Sequence, residues 1–245
     1  MEENMELNKN IEQGAEDVSD EKEIDNEKPA KNSQSKKLLN DILDIAESTL
    51  ATVFVMIMVF TYLLHPVNVM GDSMNPTLSD QDRILMTTVY TNLKYGDIVI
   101  INNDAVYDID ANGEAYNVNL KDNPLDECII KRIIACGGQE ININNSDPDK
   151  NKWTVEIDGK AVDEPYILNG AYTAKKGCFD GKFPFTVPEG YYFVMGDNRT
   201  NSSDSRSAYV GLIKKEQIYG KALVRYAPFG DFKFLMNSYK ESVED

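Results

Sequence analysis

The chain has one histidine among 245 residues, three cysteines and one tryptophan. A Ser-His-Asp triad needs an imidazole beside its nucleophile. The single His65 closes a long apolar run and precedes Pro66, so that chemistry is nearly excluded. Cys128, Cys136 and Cys178 cannot all pair within one chain, and none forms a CxxC. No disulfide framework, metal site or cofactor is expected from such a set. Basic residues are also short, with 25 Lys and Arg against 41 Asp and Glu for a formal charge of −16. Nucleic-acid binding is dominated by phosphate neutralisation, and no nucleic-acid partner is expected. Beyond residue 78 no long amphipathic helix pattern separates the apolar runs, which argues against a parallel α/β fold.

Residues 1–47 hold 14 acidic and 6 basic side chains, which is half of the net charge. With few aromatics and no sustained apolar periodicity, the segment buries too little to offset its ordering entropy, and a disordered acidic tail is expected. Its two SxxK spacings, Ser19 with Lys22 and Ser33 with Lys36, lie outside any catalytic context and are read as chance. Residues 48–71 carry no charged side chain, and LATVFVMIMVFTYLL at 50–64 is nearly all apolar. A helix over 48–64 spans about 26 Å, close to the roughly 30 Å hydrocarbon layer of a bilayer. A single transmembrane anchor over 48–65 is expected, with the lipid bilayer as a partner and Pro66 as the stop. A cleavable leader fits worse, because the preceding segment is long and acidic and HPVNVMG has no small-x-small site. Lys28, Lys31, Lys36 and Lys37 precede the span, whereas the first basic residue after it is Arg83. The tail is therefore placed in the cytosol and residues 66–245 outside the cytoplasmic membrane.

Short runs of Val, Ile, Tyr and Phe punctuated by Gly, Pro, Asn and Asp follow, and predict strands at 83–87, 97–102, 128–135, 140–143, 153–157, 191–195 and 218–226. The pattern indicates a mainly β domain of antiparallel sheets. Asp158-Gly159 and Pro188-Glu189-Gly190 are turn signals. Polar stretches at 103–127 and 144–182 are read as insertions or an outer subdomain. Asp108, Asp110, Asn112 and Gly113 match the opening of an EF-hand loop, but position twelve is Asn119 where a Glu is required, so a polar turn is expected.

The candidate nucleophile is Ser73, in GDSMNPTL at 71–78, a few residues beyond the anchor. Its hydroxyl needs a base, and Asn75 breaks the GxSxG elbow of the α/β-hydrolases. Lys131 interrupts the apolar run IIKRII and, in a strand, shares a face with Ile129, Ile133 and Ala135. Desolvation there lowers an amine's pKa from about 10.4 toward 7 at a cost of roughly 4 to 5 kcal/mol. The alternative is an edge strand with the lysine solvated. A third stretch, GDNRTNSSDSR at 196–206, carries Asp197, Arg199, Asp204 and Arg206 with no aliphatic side chain. It reads either as an ion-paired loop supporting a site or as a solvated turn. Asn201-Ser202-Ser203 is formally a glycosylation triplet of low weight.

Together these stretches resemble the bacterial type I signal peptidases, membrane-bound serine proteases that remove signal peptides from exported proteins. The resemblance covers roughly 50–228 and rests on four motifs in order: GDSMNPTL at 71–78, YGDIVI at 95–100, KRIIACGG at 131–138 and GDNRTNSSDSR at 196–206. It implies a signal-peptidase-like fold of two packed antiparallel sheets, with Ser73 as nucleophile, Lys131 as general base and Ser202 as the hydroxyl that orients the amine. Asp204 and Arg206 match a supporting ion pair, and Asp197 and Arg199 belong to the same loop. Signal-peptide-bearing pre-proteins are the implied substrates, lying extended against Val67, Val69, Met70, Met74, Ile129 and Ile130. Some relatives carry a serine hydroxyl where this chain has Gly71, so the oxyanion hole would rest on backbone donors such as the Ser73 N–H. The usual IGLPGD after the lysine is replaced here by IACGGQ at 134–139. A specialised or inactive relative, and a membrane-anchored binding domain, remain as alternatives.

Overall fold

The computed structural model describes residues 30–147, 152–168, 173, 179 and 182–235. Two compact units result, Met1–Thr52 and Val53–Asp245. The described part of the first belongs to helix α1 (Ala30–Tyr62), which continues into the second. The helix starts well before the apolar run that announced it. No Gly or Pro lies between Pro29 and Pro66, and 36–47 spaces Leu38, Leu39, Ile42, Leu43 and Ile45 among good helix formers, so propagation toward the N-terminus meets no breaker. The expected tail of 1–47 is thus helical from Ala30, and residues 1–29 lie outside the described residues. Thr49 and Thr52 return their hydroxyl protons to the Ile45 and Ser48 carbonyls at 2.7 and 2.8 Å, so these two donors are satisfied within a helix long and apolar enough to cross a membrane.

The helix ends at Tyr62 rather than at 64–65, and the chain passes directly into strand β1 (Leu64–Asn68). Pro66 stops the helix from a strand that lies at a sheet edge, where its missing N–H costs no ladder bond. Thr88 ties this exit down, its N–H donating to Leu63 O at 3.3 Å and its hydroxyl to Tyr62 O at 2.9 Å.

The largest sheet contains β1, β2 (Arg83–Thr87), β3 (Ile98–Asn102), β6 (Cys128–Cys136), β11 (Tyr191–Met195), β12 (Ile213–Lys214), β13 (Ile218–Ala227) and β14 (Lys233–Phe234). Its order is β1-β2-β13-β3-β6-β11-β12, with β14 on β13. A second sheet, β10-β7-β8-β9, is built from β7 (Glu140–Asp147), β8 (Lys152–Ile157), β9 (Lys160–Ala161) and β10 (Phe185–Thr186). β4 (Tyr107–Ile109) and β5 (Ala115–Asn117) form a separate hairpin inside the 103–127 insertion. The described pairings are antiparallel, as expected, but they make three sheets rather than two.

β6 lies between β3 and β11, but Lys131 pairs only with Val99 of β3, since the ladder with β11 starts at Arg132; the side chain is nevertheless buried, not solvated. Alternation along β6 fails after Ile133. The ladder steps from Val194↔Ile133 to Phe193↔Ala135, a bulge that leaves Ile134 without a partner on β11. Ile134 and Ala135 both join the core around Phe185, Phe193 and Leu212, whereas Ile129 and Ile133 pack with Val99, Val194 and Ile218. Ala135 therefore does not share the surroundings of Ile129 and Ile133.

The expected turns form. Asp158 and Gly159 have φ of 51° and 75° between β8 and β9, the paired positive values of a tight hairpin. At Pro188-Glu189-Gly190, Tyr191 N–H donates to Pro188 O at 3.1 Å. In the β4–β5 loop Asp110 accepts the N–H groups of Asn112 and Glu114 at 2.8 and 2.9 Å, while Asp108 is taken up by Lys182. These carboxylates close a turn and an ion pair.

Candidate active site

Ser73 lies in the turn that follows β1. Leu78 N–H donates to Met74 O at 2.9 Å and Asn75 N–H to Asp72 O at 3.2 Å, while Met74 and Leu78 are buried with Val69, Ile84 and Ile98. Apolar anchoring on one side of the turn leaves the serine facing the cleft. Lys131, only 4% exposed, brings its Nζ to 2.9 Å from Ser73 Oγ and 2.8 Å from Ile130 O. Burial lowers the amine's pKa from 10.5 to about 8, against the opposing pull of Asp204, Asp197 and Glu127. A sizeable neutral fraction near pH 8 gives the amine a lone pair at hydrogen-bond distance from a hydroxyl, the geometry of base and nucleophile.

The 196–206 loop leaves β11 and packs behind this pair. Asn198 N–H donates to Ser73 O at 3.0 Å, and its side chain donates to Asp72 O at 3.1 Å. Gly196 allows the approach, since a Cβ there would lie 2.3 Å from Ser202 Oγ and 2.4 Å from Ser73 O. Arg206 grips Asp204 through Nε at 2.8 Å and Nη2 at 2.7 Å, with Gly196 N–H adding a bond at 3.1 Å. Burial pushes the Asp204 carboxyl up, but Arg206, Gly196 N–H and the Ser202 hydroxyl outweigh it and hold the pKa below the usual value. Lys131's own hydrogen bonds in this conformation go to Ser73 and Ile130.

Arg132 takes the opposite direction from Lys131. It donates to Asp197 at 2.8 and 2.5 Å and to Gly96 O at 2.7 Å, with both side chains buried. Asp197 is thus the counter-ion of the strand beside it, a pairing hinted at only by an arginine in an apolar run. Arg199 pairs with Glu164, a residue of the 144–182 stretch that no motif singled out.

A cleft of about 520 Å³ runs past Ser73 and Lys131. Val67, Val69, Met70, Met74, Ile129 and Ile130 all line it, joined by Glu127 and Ser203, which the sequence patterns did not pick out. Val69 and Met74 form its buried floor, and Met70, 88% exposed, its rim. Along Cys128–Ile130, β6 pairs with β3 on one side only, because β11 first meets it at Arg132. That backbone edge faces the same cleft.

Residues 42–227 match the family described as signal peptidase, peptidase S26. The chain belongs to this peptidase family. It is a serine endopeptidase of the signal peptidase I type, and its fold is mainly β with one N-terminal apolar helix. It is 33% identical over 212 residues to signal peptidase I of Bacillus amyloliquefaciens, covering 84% of this chain and 98% of that one. Signal peptidase I S of Bacillus subtilis is 33% identical over 78% of this chain and 92% of its own. Signal peptidase IB of Staphylococcus aureus is 30% identical over 82% and 96%. A solved signal peptidase I from Enterococcus faecalis aligns with 54% of this chain and 98% of its own, at 22% identity and a TM-score of 0.37 too low to bear on the fold. In this S26 peptidase the four motifs, far apart in the chain, meet around one serine and one lysine. Tyr95 of YGDIVI reaches the loop side through Tyr166, their hydroxyls 3.0 Å apart.

Proposed function

We propose that this protein removes signal peptides from exported pre-proteins at the outer face of the cytoplasmic membrane, with Ser73 as nucleophile and Lys131 as general base. The observation that carries the reading is the 2.9 Å approach of a buried, pKa-lowered amine to the serine hydroxyl. Neutral Lys131 takes the proton of Ser73 as its oxygen attacks the scissile carbonyl, and the resulting ammonium returns a proton to the departing amine. Water, deprotonated by the same amine, then releases the acyl group from Ser73. Gly71 offers no hydroxyl, so backbone donors such as the Ser73 N–H hold the oxyanion. Ser202 is the hydroxyl that orients the lysine amine, a role supported by its place beside Asp204 and Gly196.

The substrate enters as an extended strand. The open edge of β6 at Cys128–Ile130 supports pairing with its backbone, while Val67, Val69, Met70, Met74, Ile129 and Ile130 supply shallow apolar contacts. Helix α1 provides the membrane anchor, with the lysine-flanked N-terminal side in the cytosol. The domain layout is a cytosolic tail, this anchor and an extracytoplasmic catalytic domain from residue 66 onward.

Incubating the detergent-solubilised protein with a pre-protein tests the assignment. Ser73→Ala is expected to abolish cleavage with an unchanged circular dichroism spectrum, and Ser73→Cys to retain a trace because a thiol needs less activation. Wild-type cleavage by Ser73→Ala would sink the assignment.

A further inference from the structure

Arg199 is fully buried, yet its guanidinium has no hydrogen bond to Ser73 or Lys131. It is held from the segment between β9 and β10. Nη1 donates to Glu164 Oε2 at 2.9 Å, Nη2 makes a short bond to Oε1, and Nη1 also donates to Thr173 Oγ1 at 3.2 Å. Tyr166, buried as well, places its ring 4.0 Å from the Arg132 guanidinium and 5.8 Å from that of Arg199. Its hydroxyl donates to Glu164 Oε1 at 2.9 Å. On its other side Arg199 leads to the site: its Nε donates to Gly196 O at 3.1 Å, and its carbonyl accepts from Arg206 Nη2 at 2.9 Å. Gly196 in turn touches both Ser202 and the Ser73 carbonyl.

We propose that Glu164 and Tyr166 are positioning residues for the peptidase reaction, clamping Arg199 so that Gly196 stays pressed against Ser73 and Ser202. The inference rests on the Ser73–Lys131 reading of the site. A bidentate carboxylate fixes both position and plane of a guanidinium, and the tyrosine ring bars sideways movement. Without the clamp the 196–206 loop moves off Ser73 and water reaches the Lys131 amine. Asp204 and Asp197 of that loop, and Glu127 across the cleft, are the charges acting on the amine. Each favours its protonated form, so once desolvation is relieved the amine's pKa rises.

The test measures kcat, KM and the pH dependence of kcat/KM on a pre-protein for the detergent-solubilised full chain carrying Glu164→Ala, Glu164→Gln or Tyr166→Phe. For Glu164→Ala, kcat at pH 7.5 is expected to fall about tenfold and the acid limb to move up by about one pH unit, since one unit of pKa is tenfold in neutral amine. KM should stay within about twofold, because the apolar contacts of Val67, Val69, Met74, Ile129 and Ile130 lie outside the displaced loop, and high pH should restore part of the rate. Glu164→Gln should recover part of the loss, its amide oxygen still accepting from Arg199. Tyr166→Phe, which keeps the ring on Arg132, should shift the limb in the same direction by less. An unchanged kcat and acid limb in Glu164→Ala, whatever its melting temperature, would reduce Glu164 to a fold-stabilising role and overturn the proposal. If Glu164→Ala fails to fold, unchanged values in Tyr166→Phe overturn it equally. Lys131→Ala is assayed alongside: retained cleavage there defeats the dyad itself, whereas its loss beside an unaffected Glu164→Ala defeats only the clamp.

Discussion

Replacing Lys131 by Met should abolish cleavage and at the same time make the folded protein relatively more stable at neutral pH than at alkaline pH. The amine is 4% exposed, and its pKa falls from 10.5 in the free side chain to about 8 in the fold. Between those values the unfolded chain binds a proton that the folded chain has released, so the free energy of unfolding rises with pH across the window. Below pH 8 both states are protonated and the whole penalty stands. A difference of 2.5 pKa units corresponds to about 3 kcal/mol. Met is of similar length and carries no charge, so it escapes this term. The variant also loses the bonds to Ser73 and to Ile130 O, an offset that does not depend on pH across this range. The measurable quantity is therefore the stability gap between variant and wild type at pH 7.5 against that at pH 10.5. It should close by about 3 kcal/mol, or roughly 6 to 12 °C in melting temperature for a domain of this size. Urea unfolding followed through the single Trp153 reads it directly, and other titrating groups cancel in the difference. A gap that stays constant across the window would show that Lys131 is not desolvated in the fold, and the argument for a neutral base would fall with it.

Other outcomes follow from the same geometry. Gly196→Ala puts a methyl 2.3 Å from Ser202 Oγ and 2.4 Å from Ser73 O, and the shift needed should cost about a hundredfold in kcat/KM. A near-normal rate would mean that the loop is not held against the serine. Arg132→Ala strands the fully buried Asp197 and should lower stability by about 3 to 5 kcal/mol in denaturant titrations, with partial recovery in the Arg132→Ala/Asp197→Ala double variant. A loss under about 1 kcal/mol would mean water had entered. Protease added outside intact cells should digest the C-terminal domain while an epitope at Glu2 stays protected, and the reverse pattern would invert the topology.

The expected strands were legible as runs of β-branched, aromatic and other apolar residues bounded by turn residues. β2 and β11 match their expected ranges, β3, β6, β8 and β13 differ by one residue at one end, β7 runs four residues past its expected end at 143, and β1 was not expected because its start falls inside the expected anchor. The short strands β4, β5, β9, β10, β12 and β14 were not, since two or three residues show no period. They exist because a neighbouring strand offers its edge. Helix α1 was announced by its apolar stretch alone, and its amphipathic first half was lost against the charge of the tail.

By itself the sequence determined the apolar N-terminal helix, the antiparallel β character and the three stretches that carry Ser73, Lys131 and the 196–206 loop, because chemistry and periodicity are local properties. Only the tertiary structure decided that Lys131 is buried where β6 is still paired on one side, that its amine meets Ser73 across 58 residues of chain at 2.9 Å, and that Asp197 neutralises Arg132. It alone brought in Glu164 and Tyr166, which belong to no motif. A buried charge must find its counter-charge wherever the fold provides one. That choice depends on which strands pair and where the bulge in β6 falls, and neither is written in any short stretch of residues.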